Sequence, residues 1–187
     1  MGEYRMEPKI TLHDKTFVPF ISARRLTEAI DRVAAKINAD YADARDVPVL
    51  LCILNGSLIF TSELMKRLTF PLELACTRLS SYVGTSSTGE VRQTLTLPEH
   101  LEGRRVIVVE DIVDTGNTIS ALSGMLRERK VTEVRICTLL LKPEAYHKDI
   151  PLDYVALEIP NRFIVGFGLD YDQIGRNLPE IYVLENS

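Results

Sequence analysis

The run VIVVEDIVDTGNTI, residues 106–119, sets three acids, Glu110, Asp111 and Asp114, between an apolar strand pattern and the start of a helix. Two adjacent carboxylates at a strand end repel each other unless a cation or hydroxyl groups compensate them. A sugar diol together with Mg2+ would do both. The residues that follow, Thr115, Gly116, Asn117 and Thr118, form a turn into a helix. Successive backbone N–H groups there can make a nest, and the helix N-terminus adds partial positive charge. Thr115 and Thr118 supply hydroxyl donors. The pattern is a phosphate cradle without a lysine, since neither GxxxxGK[ST] nor GxGxxG is present. Asp114 lies where a base can reach a ring nitrogen of a bound nucleobase. The competing reading is structural: Asp114 only caps the helix, and Glu110 and Asp111 form surface pairs.

Other residues are less specific taken singly. Asn55-Gly56-Ser57 breaks an apolar run and reads as a simple turn. Lys142 ends the run LLLK; it is an obligatory donor, but a lone Lys at a strand end usually snorkels to water. RLSSYVGTSSTGEV, 78–91, reads only as a flexible loop. Phe163 alone reads as core. His13, His100 and His147 lie in polar contexts with no triad pattern.

The elements that must position these residues alternate. Residues 22–44 carry Leu26, Ile30, Val33, Ala34, Ile37 and Tyr41 at spacings of three and four, which predicts a helix with Ser22 as its N-cap. Residues 47–54 form a short continuous apolar run, the pattern of a strand buried on both faces. A helix follows over 58–68, strands over 72–79 and 105–110, a helix from Thr118, and a strand over 133–141. This order predicts an α/β fold with a mainly parallel sheet flanked by helices. Short strands beyond residue 150, around YVALEI, FIVGFGLD and IYVLE, suit a smaller lobe or flap. The first eight or so residues read as a loose tail. In open α/β sheets ligands bind at the carboxyl ends of the strands, where the turns after residues 54, 110 and 141 can meet.

The chain has 187 residues, which fits a single domain over 1–187 at roughly 100 to 200 residues per domain. A net charge of −4 argues against nucleic acid as the main partner, though not against a small phosphorylated ligand. Cys52, Cys76 and Cys137 are odd in number and widely spaced, so they read as buried free thiols of a reducing compartment. No run reaches the roughly 20 apolar residues of a membrane span, and the polar start does not suit a signal peptide. The expected location is cytoplasmic, with no membrane partner.

The string from Val106 to Thr118, hydrophobic residues followed by EDIVDTGNT, resembles the phosphoribosyl diphosphate signature of the type I phosphoribosyltransferases. Within that family the chain is similar to the hypoxanthine and hypoxanthine-guanine members over residues 45–184. The resemblance implies the type I fold, with a hood built from the C-terminal region and a flexible lid. It implies Glu110, Asp111 and Asp114 to Thr118 as phosphoribosyl contacts, with Asp114 catalytic. It assigns Asn55, Gly56, Arg78, Ser81, Tyr82 and Arg176 to the pyrophosphate, with Ser81-Tyr82 in the lid. Relatives often carry Lys at the first position of the turn after a cis peptide; here Asn55 stands there. A cis Leu54–Asn55 bond is therefore expected, and backbone amides can still bind the anion. Lys142, Phe163, Ile164 and Asp170 are implied at the purine, and Glu110, Asp111 and Asp170 at Mg2+.

The implied reaction moves a phosphoribosyl group from 5-phospho-α-D-ribose 1-diphosphate to N9 of a 6-oxopurine, hypoxanthine and also guanine, in a homodimer or homotetramer. Lys142 suits a carbonyl at position 6 and mismatches the amino group of adenine. Three rivals stay open: an RNA-binding attenuator on the same scaffold, an enzyme for another base such as xanthine, and a phosphate-binding structural protein.

Overall fold

A computed structural model describes residues 9–81 and 91–185, without the side chains of 80, 81 and 91–94. In chain order the main elements are β1 (Ile10–Leu12), β2 (Lys15–Ile21), α1 (Ala23–Asp40), β3 (Val49–Leu54), α2 (Leu58–Met65), β4 (Glu73–Ser81) and β5 (Val91–Leu95). They continue with β6 (Arg105–Val113), α3 (Asn117–Glu128), β7 (Glu133–Leu141), β8 (Tyr154–Glu158), β9 (Ile164–Val165) and β10 (Ile181–Leu184).

Five strands run parallel in the order β4-β3-β6-β7-β8, and β5 pairs antiparallel on β4 at the outer edge. The central strands are apolar throughout because both faces are covered. Leu50 of β3, with Ile107 and Val109 of β6, belongs to the core shared with α1 and with Phe60 and Leu64 of α2. Val49, Leu51 and Ile53, with Val106 and Val108, face Ile119, Leu122 and Leu126 of α3 on the other side. Each strand thus feeds two cores by simple alternation. Among the described residues no helix is long and apolar enough to cross a membrane.

The element boundaries moved for local reasons. The first helix stops at Asp40, with Ser22 Oγ accepting the Arg25 N–H as its N-cap as expected. Residues 66–68 leave α2 through bonds of three-residue spacing, Arg67 N–H to Leu64 O and Leu68 N–H to Met65 O. β6 runs on to Val113 because its ladder with β7 continues through Ile112↔Leu140 and Val113↔Leu141. Glu110 and Asp111 therefore sit inside the strand rather than just beyond it.

The second sheet corrects the expected hood. Its order is β1-β2-β10-β9, all antiparallel, so the N-terminal strands supply half of it. β2 accepts Pro19 where its register with β10 shifts between Ile181 and Tyr182. The YVALE strand does not join this lobe; it closes the main sheet beside β7. Phe17, Val165 and Tyr182 form the hood's own small core. From β3 the chain moves outward to β4, and from β6 it moves the other way to β7. The neighbouring ends of β3 and β6 thus make a topological switch point, where such sheets hold their ligands. The tail, Tyr82 and the body of the expected lid fall outside the described residues.

Candidate active site

Gly116 caps α3 with φ 77, a left-handed conformation that favours glycine. A Cβ there would lie 2.5 Å from the Tyr146 ring, so space as well as backbone demands Gly. No side chain caps α3, which leaves its first-turn N–H groups for a ligand. Thr115 and Asn117 are exposed around them, and Thr118 is half-buried. Residues Glu110 and Ile112–Ile119 enclose a concavity of about 90 Å3, so two of the three acids, Glu110 and Asp114, share a wall with the cradle. A larger concavity of about 470 Å3, between α3 and residues 149–151, has only Arg127 and Asp149 as charged lining and lies away from these acids.

Glu110 is 8% exposed, and its Oε2 is buried with no hydrogen-bond partner. Asp111 is equally buried; its Oδ1 accepts the Ile112 N–H at 2.7 Å. Burial, and then the charge of Asp111, push the Glu110 carboxyl well above the usual carboxylate range. Burial also raises Asp111. A raised folded value means stability that is present below the unfolded Glu range and lost as pH climbs through the folded value. Glu110→Gln should therefore raise the melting temperature of the ligand-free protein. The gain should grow as pH climbs from the ordinary Glu range toward the raised value, and vanish below the ordinary range. Thermal unfolding of both proteins across pH checks this, and a gain that does not depend on pH refutes it.

A buried oxygen without a partner beside a second carboxylate fits either ribose hydroxyls or a hard divalent cation. Among the described residues, no three His, Cys, Asp or Glu side chains could hold a metal by themselves. Asp170 therefore does not complete a three-carboxylate group with Glu110 and Asp111. Asp170 Oδ1 instead takes Arg176 Nη2 at 2.6 Å, and its Oδ2 accepts the Gln173 N–H at 2.8 Å.

Lys142 and Asp114, 28 positions apart in the sequence, meet at the ends of β7 and β6. Lys142 Nζ donates to Asp114 Oδ2 at 2.8 Å, and the Lys side chain is only 11% exposed. The Lys142 N–H continues the sheet by donating to Val113 O. A donor and a carboxylate this close can serve two adjacent edge atoms of one planar ring.

The Leu54–Asn55 bond is cis, as expected. The turn beyond it is crowded. A Cβ on Gly56 would sit 1.5 Å from Asp111 Oδ2, so only glycine lets this backbone lie against the acids. From the hood, Gly168 lies over the same turn. Its φ is +103, and a Cβ would fall 2.0 Å from Gly56 O. Arg176 Nη1 donates to Gly168 O at 2.8 Å, and the Gly168 N–H donates to Arg176 O. Arg176, Asp170, Gly56 and Asp111 are therefore brought together. Gly168→Ala should cost about 3 kcal/mol of stability, at the upper end for forced overpacking, because backbone must move. A denaturant titration that leaves the midpoint unchanged would contradict this contact. Gly168 escaped sequence reasoning, although the Gly-Phe-Gly spacing in VGFGLD was its signal.

Arg78 stands in register with Leu54, so β4 delivers it beside the cis turn. Ser81 ends β4 next to the lid. Phe163 is 42% exposed and packs on Phe17 at 6.0 Å and on Tyr171 at 5.8 Å, so it is a propped surface ring rather than core. Ile164 is buried in β9 directly after it. Cys52 and Cys137 are buried free thiols; Cys76 is only half-buried.

The family model of the phosphoribosyl transferase domain matches residues 22–172. A hypoxanthine-guanine phosphoribosyltransferase of Streptococcus pneumoniae is 42% identical over 166 residues, which is 88% of this chain and 91% of that protein. One from Streptococcus thermophilus is 45% identical over 151 residues, 80% of this chain and 83% of the other. Among solved structures, a hypoxanthine phosphoribosyltransferase from Staphylococcus aureus matches with TM-score 0.83 at 37% identity, covering 89% and 90% of the two chains. A variant of the Trypanosoma cruzi hypoxanthine phosphoribosyltransferase, complexed with the product IMP, matches with TM-score 0.83 at 32% identity, covering 100% and 94%.

Proposed function

The chain belongs to the phosphoribosyl transferase domain family, and from that premise we propose that it is a purine salvage enzyme, a hypoxanthine-guanine phosphoribosyltransferase of the type I fold. It joins the phosphoribosyl group of 5-phospho-α-D-ribose 1-diphosphate to N9 of hypoxanthine or guanine, releasing IMP or GMP and pyrophosphate. The observation that carries this reading is the Asp114–Lys142 pair at 2.8 Å beside the uncapped start of α3.

The N–H groups and hydroxyls of Thr115 to Thr118 hold the 5-phosphate. Glu110 and Asp111 receive the ribose hydroxyls, which satisfies the unpartnered Glu110 Oε2. Lys142 donates to O6 of the purine, and Phe163 stacks on its ring. N9 forms its bond to C1 as the bond from C1 to the diphosphate breaks. The diphosphate leaves with the electron pair, and Asp114 takes up the imidazole proton at N7. Backbone groups of Asn55 and Gly56, with Arg78, Ser81, Tyr82 and Arg176, receive the pyrophosphate. Glu110 and Asp111 would help to hold Mg2+, which would supply positive charge to the leaving group. Asp170 acts through Arg176. The rate comes from positioning and electrostatics, because no side chain serves as a covalent nucleophile. A single cytoplasmic domain that assembles as a homodimer or homotetramer completes the reading.

The test is a spectrophotometric assay with phosphoribosyl diphosphate and Mg2+, offering hypoxanthine, guanine, xanthine and adenine in parallel. Turnover of hypoxanthine or guanine, with adenine inert and activity lost on chelation, is the expected result. No turnover of any base, despite binding of phosphoribosyl diphosphate, would sink the purine assignment.

A further inference from the structure

Two tight turns meet at the edge of the hood. The β1–β2 turn holds His13 at φ 50, and the turn that closes Tyr171 onto Ile174 holds Asp172 at φ 46 and Gln173 at φ 72. Three non-glycine residues in the left-handed region persist only where surrounding contacts over-determine them. Those contacts converge on Tyr171. Its hydroxyl donates to Asp14 Oδ1 at 2.6 Å, Lys15 Nζ lies 4.8 Å from its ring centroid, and the His13 ring meets it edge-on at 5.6 Å. His13 Nε2 also lies 3.3 Å from Asp172 O. The same Tyr171 ring stands perpendicular to Phe163, 5.8 Å away with an interplanar angle of 87°, the preferred arrangement of an aromatic pair. On its other flank, Asp170 is held by Arg176. Tyr171 is thus anchored at its hydroxyl and through the neighbouring backbone, while Phe163 depends on it and on Phe17 for support.

We propose that Tyr171 is a positioning residue for the base: the latch of its hydroxyl on Asp14 fixes the ring that orients Phe163, so the β1–β2 turn governs purine affinity. The inference rests on the reading of Phe163 as the purine platform. It assigns a function to the N-terminal hairpin, which lies far from the reacting atoms in sequence and contributes no group to them.

Steady-state kinetics, varying each substrate at saturation of the other, test it. Tyr171→Phe and Asp14→Ala should each raise KM for hypoxanthine about three- to tenfold, leaving kcat and KM for phosphoribosyl diphosphate within about twofold. Asp14→Asn, which keeps an acceptor, should restore most of the loss, and the double variant should be no worse than either single one. An unchanged base KM in Tyr171→Phe, or an equal rise in both KM values, overturns the latch. Phe163→Leu separates the two readings. If it leaves the base KM unchanged, the platform falls and takes the latch with it. If it raises that KM while Tyr171→Phe does not, only the latch falls.

Discussion

Asp114→Asn should lower turnover by about 10²- to 10⁴-fold, the usual range for loss of a positioned general base. The substitution keeps shape and removes charge. Lys142 Nζ donates to Asp114 Oδ2 at 2.8 Å, and the oxygen of an Asn amide accepts that bond as well. The Lys142 side chain, only 11% exposed, is then not left without a partner. The loss of rate therefore reports the missing proton acceptor rather than a collapsed site. Single-turnover formation of IMP at saturating phosphoribosyl diphosphate is the measurement, with the base KM taken alongside. A rate near wild type rejects proton transfer to Asp114, and a rise confined to KM makes it a binding residue.

That pairing was invisible as a pair in the sequence, though each member was legible. Runs such as VPVLLCIL and RVIVVE announce strands buried on both faces, and alternation then fixes a parallel sheet. The carboxyl ends of those strands locate Asn55, Asp114 and Lys142. What escaped was set by partners far along the chain. β1 has three residues and β2 carries a proline, so neither reads as a strand until β10, some 160 residues later, pairs with β2. The resemblance assigns Asp170 to Mg2+ near the diphosphate. The structure adds that Arg176 holds that carboxylate, a contact that no local pattern reveals.

The acids show why the opening string tolerates so much charge. Placing Glu110 and Asp111 inside β6 costs desolvation of both, and that burial raises both carboxyls, Glu110 the more. Gly56 lets its backbone lie against Asp111, and Gly168 lets a second backbone pack on Gly56. Two buried carboxylates at one strand end cost stability, a common exchange of stability for function. A ligand that brings hydroxyls and a cation gains what the apo protein lacks.

Lys142→Gln should redistribute specificity rather than merely weaken it. The ammonium has three donors and no acceptor, so it rewards O6 of hypoxanthine and opposes the amino group of adenine. A charge-assisted bond is worth about 1.5 to 3 kcal/mol, so kcat/KM for hypoxanthine should fall about 10- to 200-fold. The Gln amide adds an acceptor, so the adenine rate should rise and the hypoxanthine-to-adenine ratio should drop about 10³-fold. Lys142→Met provides the contrast, since it removes the donor without adding an acceptor; hypoxanthine should weaken similarly while adenine stays inert. Asp114 loses its cation in both variants, but its side chain is 43% exposed, so water can take over its solvation. A shared loss through Asp114 would therefore be equal in the two proteins, and only a direct reading of position 6 makes them differ with adenine. Equal behaviour of Gln and Met toward adenine would move base selection from Lys142 to the backbone around Ile164.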